Sequence, residues 1–206
     1  MVFEWACFIS YPHAGGDMVK NFAEQLARAL ENEIGAYFAD QPVFMDKQRI
    51  NAGFDYNHEL SKAICKSVCM IVVYVPAYQE KTYCLREFLA MEAIADKRRQ
   101  LLGPDYKGTH RMIIPFLLRG DPKNLPPKIH GIQYVDFSKF TTATLDITKL
   151  PEFTEVIKNI VKEIYRLYEE IRDLNIEDCD SFDVPSEAEA ILLWPRSQKR
   201  VTFPSV

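Results

Sequence analysis

The run VCMIVVYV at residues 68–75 constrains the fold more than any other stretch. It is continuously apolar with no alternation, as in a strand covered on both faces, and such strands belong to parallel sheets between layers of helix. Even extended through Tyr78 it is too short to cross a bilayer, which needs about 20 residues. Four other short runs read as strands: EWACFISY (4–11), PVFMD (42–46), RMIIPFLL (111–118) and IQYVDFS (132–138). Between them lie stretches with helical spacing. Residues 18–32 carry Val19, Phe22, Leu26, Ala29 and Leu30, and NHELSKAICKS and KTYCLREFLAME (81–92) follow. Strand–helix alternation predicts an α/β fold: a five-stranded parallel sheet of order 2-1-3-4-5 with helices on both faces. Pro115 stands out in the fourth run, because proline removes a ladder donor and points to an edge or a bulge.

The spacing predicts a last helix over 151–174, opened by Pro151. Its apolar positions Phe153, Ile157, Ile160, Ile164, Leu167, Ile171 and Leu174 form a heptad-like seam. Such a seam either covers the sheet or is shared with another subunit. Val156, Val161 and Tyr168 widen the stripe and favour the sheet. Residues 1–174 thus read as one domain and 175–206 as an acidic linker and tail. The tail, ILLWPRSQKRVTFPSV, is apolar and then basic. It has no core of its own and is expected to dock on its own domain or on a neighbour.

A formal net charge of −4 gives no reason to expect nucleic acid or an anionic membrane as a partner. The cluster DKRRQ near residue 98 sits among acidic residues. The five cysteines are an odd number, no CxxC pair occurs, and the four histidines are scattered. Buried thiols in a reducing cytoplasm are expected, with neither a disulfide framework nor a metal site. No signal peptide is evident.

In an open parallel sheet, ligands bind beyond the carboxyl ends of the strands, where strand order reverses. Here that point lies between the first and third strands, at the loops YPHAGG and PAYQEKTY, with DKQRINAG after the second strand able to close over them. Glu87 is one helical turn from Cys84 and from Met91, so it borders the buried face and lies near this crevice. Each of the other candidates has a plain alternative. Gly15 and Gly16 could admit a phosphate to the backbone or simply make a turn. His13 could be a base or a nucleotide contact, or an idle loop residue. Asp46 could act chemically or cap its loop. Lys47 and Arg49 could meet a pyrophosphate or be solvated. There is no serine–histidine–acid order, no P-loop and no GxGxxG. From these residues alone the chain is an α/β domain with a candidate acidic site.

Four segments go further. CFISY resembles the first box of Toll/interleukin-1 receptor (TIR) domains. FMDKQRINAGFDY resembles their second-strand aspartate and following loop, with Asp46, Ile50 and Gly53 in register. YCLRE resembles their aromatic-Cys-x-x-Glu motif, and IIPFLL their fourth strand, where proline often occurs. The resemblance covers roughly residues 4–170. It implies a flavodoxin-like sheet and, as in many TIR domains, cleavage of NAD+ at the nicotinamide–ribose bond, with Glu87 as the catalytic glutamate. NAD+ would be the substrate, with no cofactor and no metal. Ser10, Tyr11, His13, Gly15, Asp46, Arg49, Tyr83 and Cys84 would contact it. Lys47, Arg49, Gly53 and Phe54 would join subunits of a homo-oligomer.

The chain is most similar to stand-alone bacterial TIR proteins of Thoeris type. It starts almost at the first strand and shows no large sensor domain, so a cytoplasmic antiviral role with a separate effector or trigger protein is implied. It departs from the family pattern at Tyr83 (usually tryptophan), at Pro12 and His13 (often a basic position), at Ala52 (proline in animal receptors) and in lacking a Phe-Trp box. The alternatives are a non-enzymatic TIR–TIR scaffold and a nucleotide-binding or deoxyribosyltransferase-like protein on a similar sheet.

Overall fold

The computed structural model describes residues 3–13, 16–45, 55–104, 106, 112–140, 146–174 and 179–194. Five parallel strands, β1 (Trp5–Ser10), β2 (Val43–Phe44), β3 (Ser67–Tyr74), β4 (Ile113–Leu117) and β5 (Val135–Asp136), form one sheet of order β2-β1-β3-β4-β5. The helices are α1 (Gly16–Ile34), α2 (Tyr56–Cys65), α3 (Thr82–Leu102), the short α4 (Pro127–His130), α5 (Pro151–Ile171) and α6 (Glu187–Leu193). Helix α1 packs with α5, and α2 with α3. Right-handed crossovers put the first pair on one face of the sheet and the second on the other.

Every residue of β3 is buried, as its unbroken apolar run requires. Helix α1 presents Val19, Phe22, Leu26 and Leu30 to the core. In α5 the seam is consumed internally: Phe153, Ile157, Ile160, Val161, Ile164, Leu167 and Ile171 are all buried, so the stripe covers this chain's own sheet. Phe137 joins the two ends of that layer, stacking on Phe116 at 4.7 Å and meeting Phe22 and Phe153 edge-on.

Pro115 lies in a paired strand, and the hydrogen bonds explain why. Met70 N donates to Met112 O and Leu118 N to Tyr74 O, so the even-numbered residues of β4 address β3. Phe137 N donates to Leu117 O, so the odd ones face β5. Pro115 is odd, and β5 pairing begins only at Phe116–Val135. The donor that proline lacks would have met no ladder partner there.

One expectation needs correction. The cysteines are not all free thiols: Cys65 and Cys179 form a disulfide, with Cα atoms 5.8 Å apart and 114 positions between them in sequence. No local spacing announces such a bond, because it exists only once the C-terminal segment has folded back. Cys7, Cys69 and Cys84 are buried and outside any disulfide among the described residues. Of the two places expected for the C-terminal segment, the described part takes the one on its own domain. Residues 179–194 dock on the α2–α3 layer of their own chain, where Ala190 and Trp194 are buried.

Arg98, in the middle of the DKRRQ cluster, is fully buried. Its guanidinium donates to the carbonyls of Ser67 and Val68 (3.0 Å each) and Cys65 (2.8 Å), and lies 4.9 Å from the centre of the Phe3 ring. It thereby ties the end of α2 to the start of β3. Burial lowers its pKa to about 9, so it remains a cation at neutral pH.

Among the described residues no helix is long and apolar enough to cross a membrane.

Candidate active site

Strand β1 ends at Ser10, which pairs in register with Val72 of β3. The order reverses between these two strands, so the space beyond their carboxyl ends is the topological crevice. A short 3-10 turn (Pro76–Glu80) leads from β3 into α3. The first turns of α3 face Cys84, Glu87 and Met91 inward on one stripe. Glu87 is only 2% exposed, which decides that it is no solvated surface charge.

A carboxyl group so placed must be hydrogen-bonded, because burial without partners is costly. Ser10 Oγ donates to Glu87 Oε2 at 2.5 Å, a length typical of a hydroxyl bonded to a carboxylate. Tyr78 Oη lies 2.8 Å from Ser10 Oγ and also donates to the Cys84 carbonyl at 3.1 Å. With the serine proton directed at Glu87, the tyrosine proton is shared between Ser10 Oγ and that carbonyl. Tyr78 is fully buried. Burial first, then Cys84 and Glu87, push its phenol well above the ordinary tyrosine range, so it stays a donor. The result is a relay from Tyr78 through Ser10 to Glu87 that fixes the carboxyl in one orientation.

Beside the relay is an aromatic wall. The His13 ring stacks on Tyr83 at 5.0 Å and meets Tyr11 edge-on at 4.8 Å. The His13 backbone N–H donates to Tyr83 Oη at 2.6 Å. The Tyr83 phenol is also raised, by burial before any charge effect, so it too is neutral.

Six of the candidates named from sequence thus lie at this point: Ser10, Tyr11, His13, Tyr83, Cys84 and Glu87. Cys84 is fully buried, and it serves the relay through its backbone carbonyl. Gly15, Asp46, Lys47, Arg49, Gly53 and Phe54 lie outside the described residues. Gly16 opens α1 with φ +79°, a left-handed turn that glycine suits. Sequence reasoning missed Tyr78. Its only signal was an aromatic residue in the loop PAYQEKTY, already assigned to the crevice.

An apolar cavity of about 550 Å³ lies elsewhere, between β4, β5 and α5, lined by residues such as Met112, Ile114, Ile132, Val156 and Ile160. None of the described site residues borders it. Among the described residues, no group of three or more His, Cys, Asp or Glu side chains is arranged to hold a metal ion.

The sequence profile of the TIR domain matches residues 7–150. The chain belongs to the TIR domain family. The parallel sheet of order β2-β1-β3-β4-β5 is that of the flavodoxin-like TIR fold. This TIR domain is similar in structure to the TIR domain of the Toll-related receptor TRR-2 from Hydra magnipapillata, at 19% identity over 77% of this chain and 98% of that one, with a TM-score of 0.48. No curated relative matches the chain.

Proposed function

We propose that this TIR domain cleaves NAD+ at the nicotinamide–ribose bond, with Glu87 as the catalytic carboxylate. The observation that carries the reading is a buried glutamate held by Ser10 at the switch point of the sheet. Loss of nicotinamide leaves positive charge on the ribose, in an oxocarbenium-like transition state. A preorganised carboxylate beside the sugar stabilises that charge and accepts hydrogen bonds from its hydroxyls, more strongly in a dry site than in water. The relay from Tyr78 spares Glu87 the cost of reorienting during the reaction. The rings of His13 and Tyr83 offer a flat face against which a base can lie.

The product is ADP-ribose, or a cyclised ADP-ribose if an internal nucleophile captures the sugar. The protein acts as a homo-oligomer through TIR–TIR contacts. Following the Thoeris-type likeness of its sequence, it serves cytoplasmic antiviral signalling with a separate trigger or effector.

The test is chromatographic. Concentrated, assembled protein incubated with NAD+ should release nicotinamide together with one ADP-ribose species. Quantitative recovery of intact NAD+ would overturn the reading in favour of a non-enzymatic scaffold.

A further inference from the structure

We propose that residues 179–194 form a redox-latched strap that sets the position of Glu87, with Trp194 as its positioning residue and the Cys65–Cys179 disulfide as its latch. The positioning half rests on the catalytic reading of Glu87; the latch does not.

The strap ends where the relay begins. Trp194, 2% exposed, meets the Phe88 ring edge-on at 5.1 Å and lies 6.5 Å from the ring of Tyr78. Phe88 follows Glu87 on α3, and Tyr78 is the hydroxyl that holds Ser10 against Glu87. Trp194 therefore backs both the helix that carries the carboxyl and the side chain that orients it. Arg86, on the other side of Glu87 in sequence, donates from Nε to the Pro185 carbonyl of the strap at 2.6 Å.

The docking combines a few buried anchors with an outward-facing helix and one unmet donor. The indole Nε1 of Trp194 is buried with no hydrogen-bond partner among the described residues, which opposes the docked state. Helix α6 buries only Ala190, and its Ile191, Leu192 and Leu193 side chains face outward. The strap is held by its buried side chains Val184, Ala190 and Trp194 and by three tethers: the disulfide at its start, the Lys62–Asp180 ion pair at 3.3 Å, and the Arg86 bond.

Reduction by a dithiol is the opening step. A reductant thiolate attacks one sulfur of Cys65–Cys179 and breaks that bond through a mixed disulfide. The reductant's second thiol then resolves it. The protein gains two electrons and two protons as two thiols, and the reductant leaves as its own disulfide. The cystine is buried, so attack follows local opening of the turn at 179–181. Cys69 and Cys7 do not compete: burial raises Cys69 to about 12 and Cys7 well above the ordinary range. Such reversible disulfides are the kind a reducing compartment uses for sensing.

The experiment uses the full chain carrying Trp5→Phe, so that Trp194 is the sole tryptophan. The expected result is a blue-shifted emission in the oxidised protein. It should move to the red on dithiol treatment, with faster amide exchange confined to 179–194. Cys179→Ser should show the red-shifted state without reductant and no further response. With NAD+, reduction should lower kcat about tenfold or more at unchanged KM. Trp194→Ala should do the same, and Trp194→Phe should retain activity.

Unchanged emission after thiol counting proves reduction would overturn the latch. A released strap with full kcat would overturn the positioning role. If neither redox state cleaves NAD+, the catalytic reading falls together with the positioning role, while the emission shift still decides the latch.

Discussion

Glu87 and Arg98 are both buried charges on α3, yet only one of them announces itself. Glu87 shares a helical stripe with Cys84 and Met91, so spacing alone places it at the apolar border. Arg98 sits beside Arg99 in a run of charges, and composition makes the two look alike. The chain separates them: Arg98 is enclosed by carbonyls, whereas Arg99 is partly exposed and pairs with Asp96 on its own helix. Replacing each by methionine should expose the difference. Arg98→Met should lose about 3 kcal/mol, because charged hydrogen bonds to buried carbonyls disappear. Arg99→Met should stay within about 0.5 kcal/mol, as surface changes do. Urea denaturation measures both; equal losses would contradict this view of Arg98. Tyr78 is the residue the sequence hid most completely, since its bond to Ser10 spans 68 positions and exists only after the sheet has closed. Tyr78→Phe keeps the ring and removes the relay. It should cost about 1 kcal/mol of stability and lower kcat roughly tenfold, equivalent to about 1.4 kcal/mol, with KM unchanged. Steady-state kinetics will show whether the loss falls on kcat.

At the scale of elements, legibility followed length and periodicity. The continuous run of β3 and the stripes of α1 and α5 carry enough repeats to identify themselves. Strands β2 and β5 have two paired residues each, so their ends were set by neighbouring strands rather than by their own pattern. The acidic part of the C-terminal segment reads as a linker because the buried residues Cys179, Val184, Ala190 and Trp194 leave no periodicity. Its helix α6 nevertheless has a clear start. Ser186 and Glu189 form a capping box, and the Ser186 hydroxyl, then its backbone N–H, hold the Glu189 carboxyl below its ordinary range. A depressed carboxyl stabilises the fold above its unfolded value of 4.5, and that stabilisation is lost as pH falls through the folded value. Acid should therefore loosen α6, and Ser186→Ala should loosen it already at neutral pH. Amide exchange of residues 187–193, measured at pH 7 and near pH 4, checks both statements. Protection that is independent of pH and of Ser186 would contradict them.

For the whole molecule, topology does most of the functional work. The order β2-β1-β3-β4-β5 brings the end of β1 and the start of α3 together, so Ser10 and Glu87 meet across 77 positions. That junction was legible as a place, because a switch point follows from strand order. Its internal wiring through Tyr78, and its support by Trp194, were not, since both depend on which side chains happen to close over the crevice. Helix α5 spends its apolar seam on its own sheet, which leaves that seam nothing to share with another subunit. The catalytic assignment of Glu87 has a direct measurement: nicotinamide release from NAD+ by assembled wild-type protein and by Glu87→Gln, with circular dichroism and oligomeric state matched. The substitution should lower turnover about 10²-fold or more, the low end for a positioned acid–base group. Equal turnover by the two proteins would contradict a catalytic Glu87.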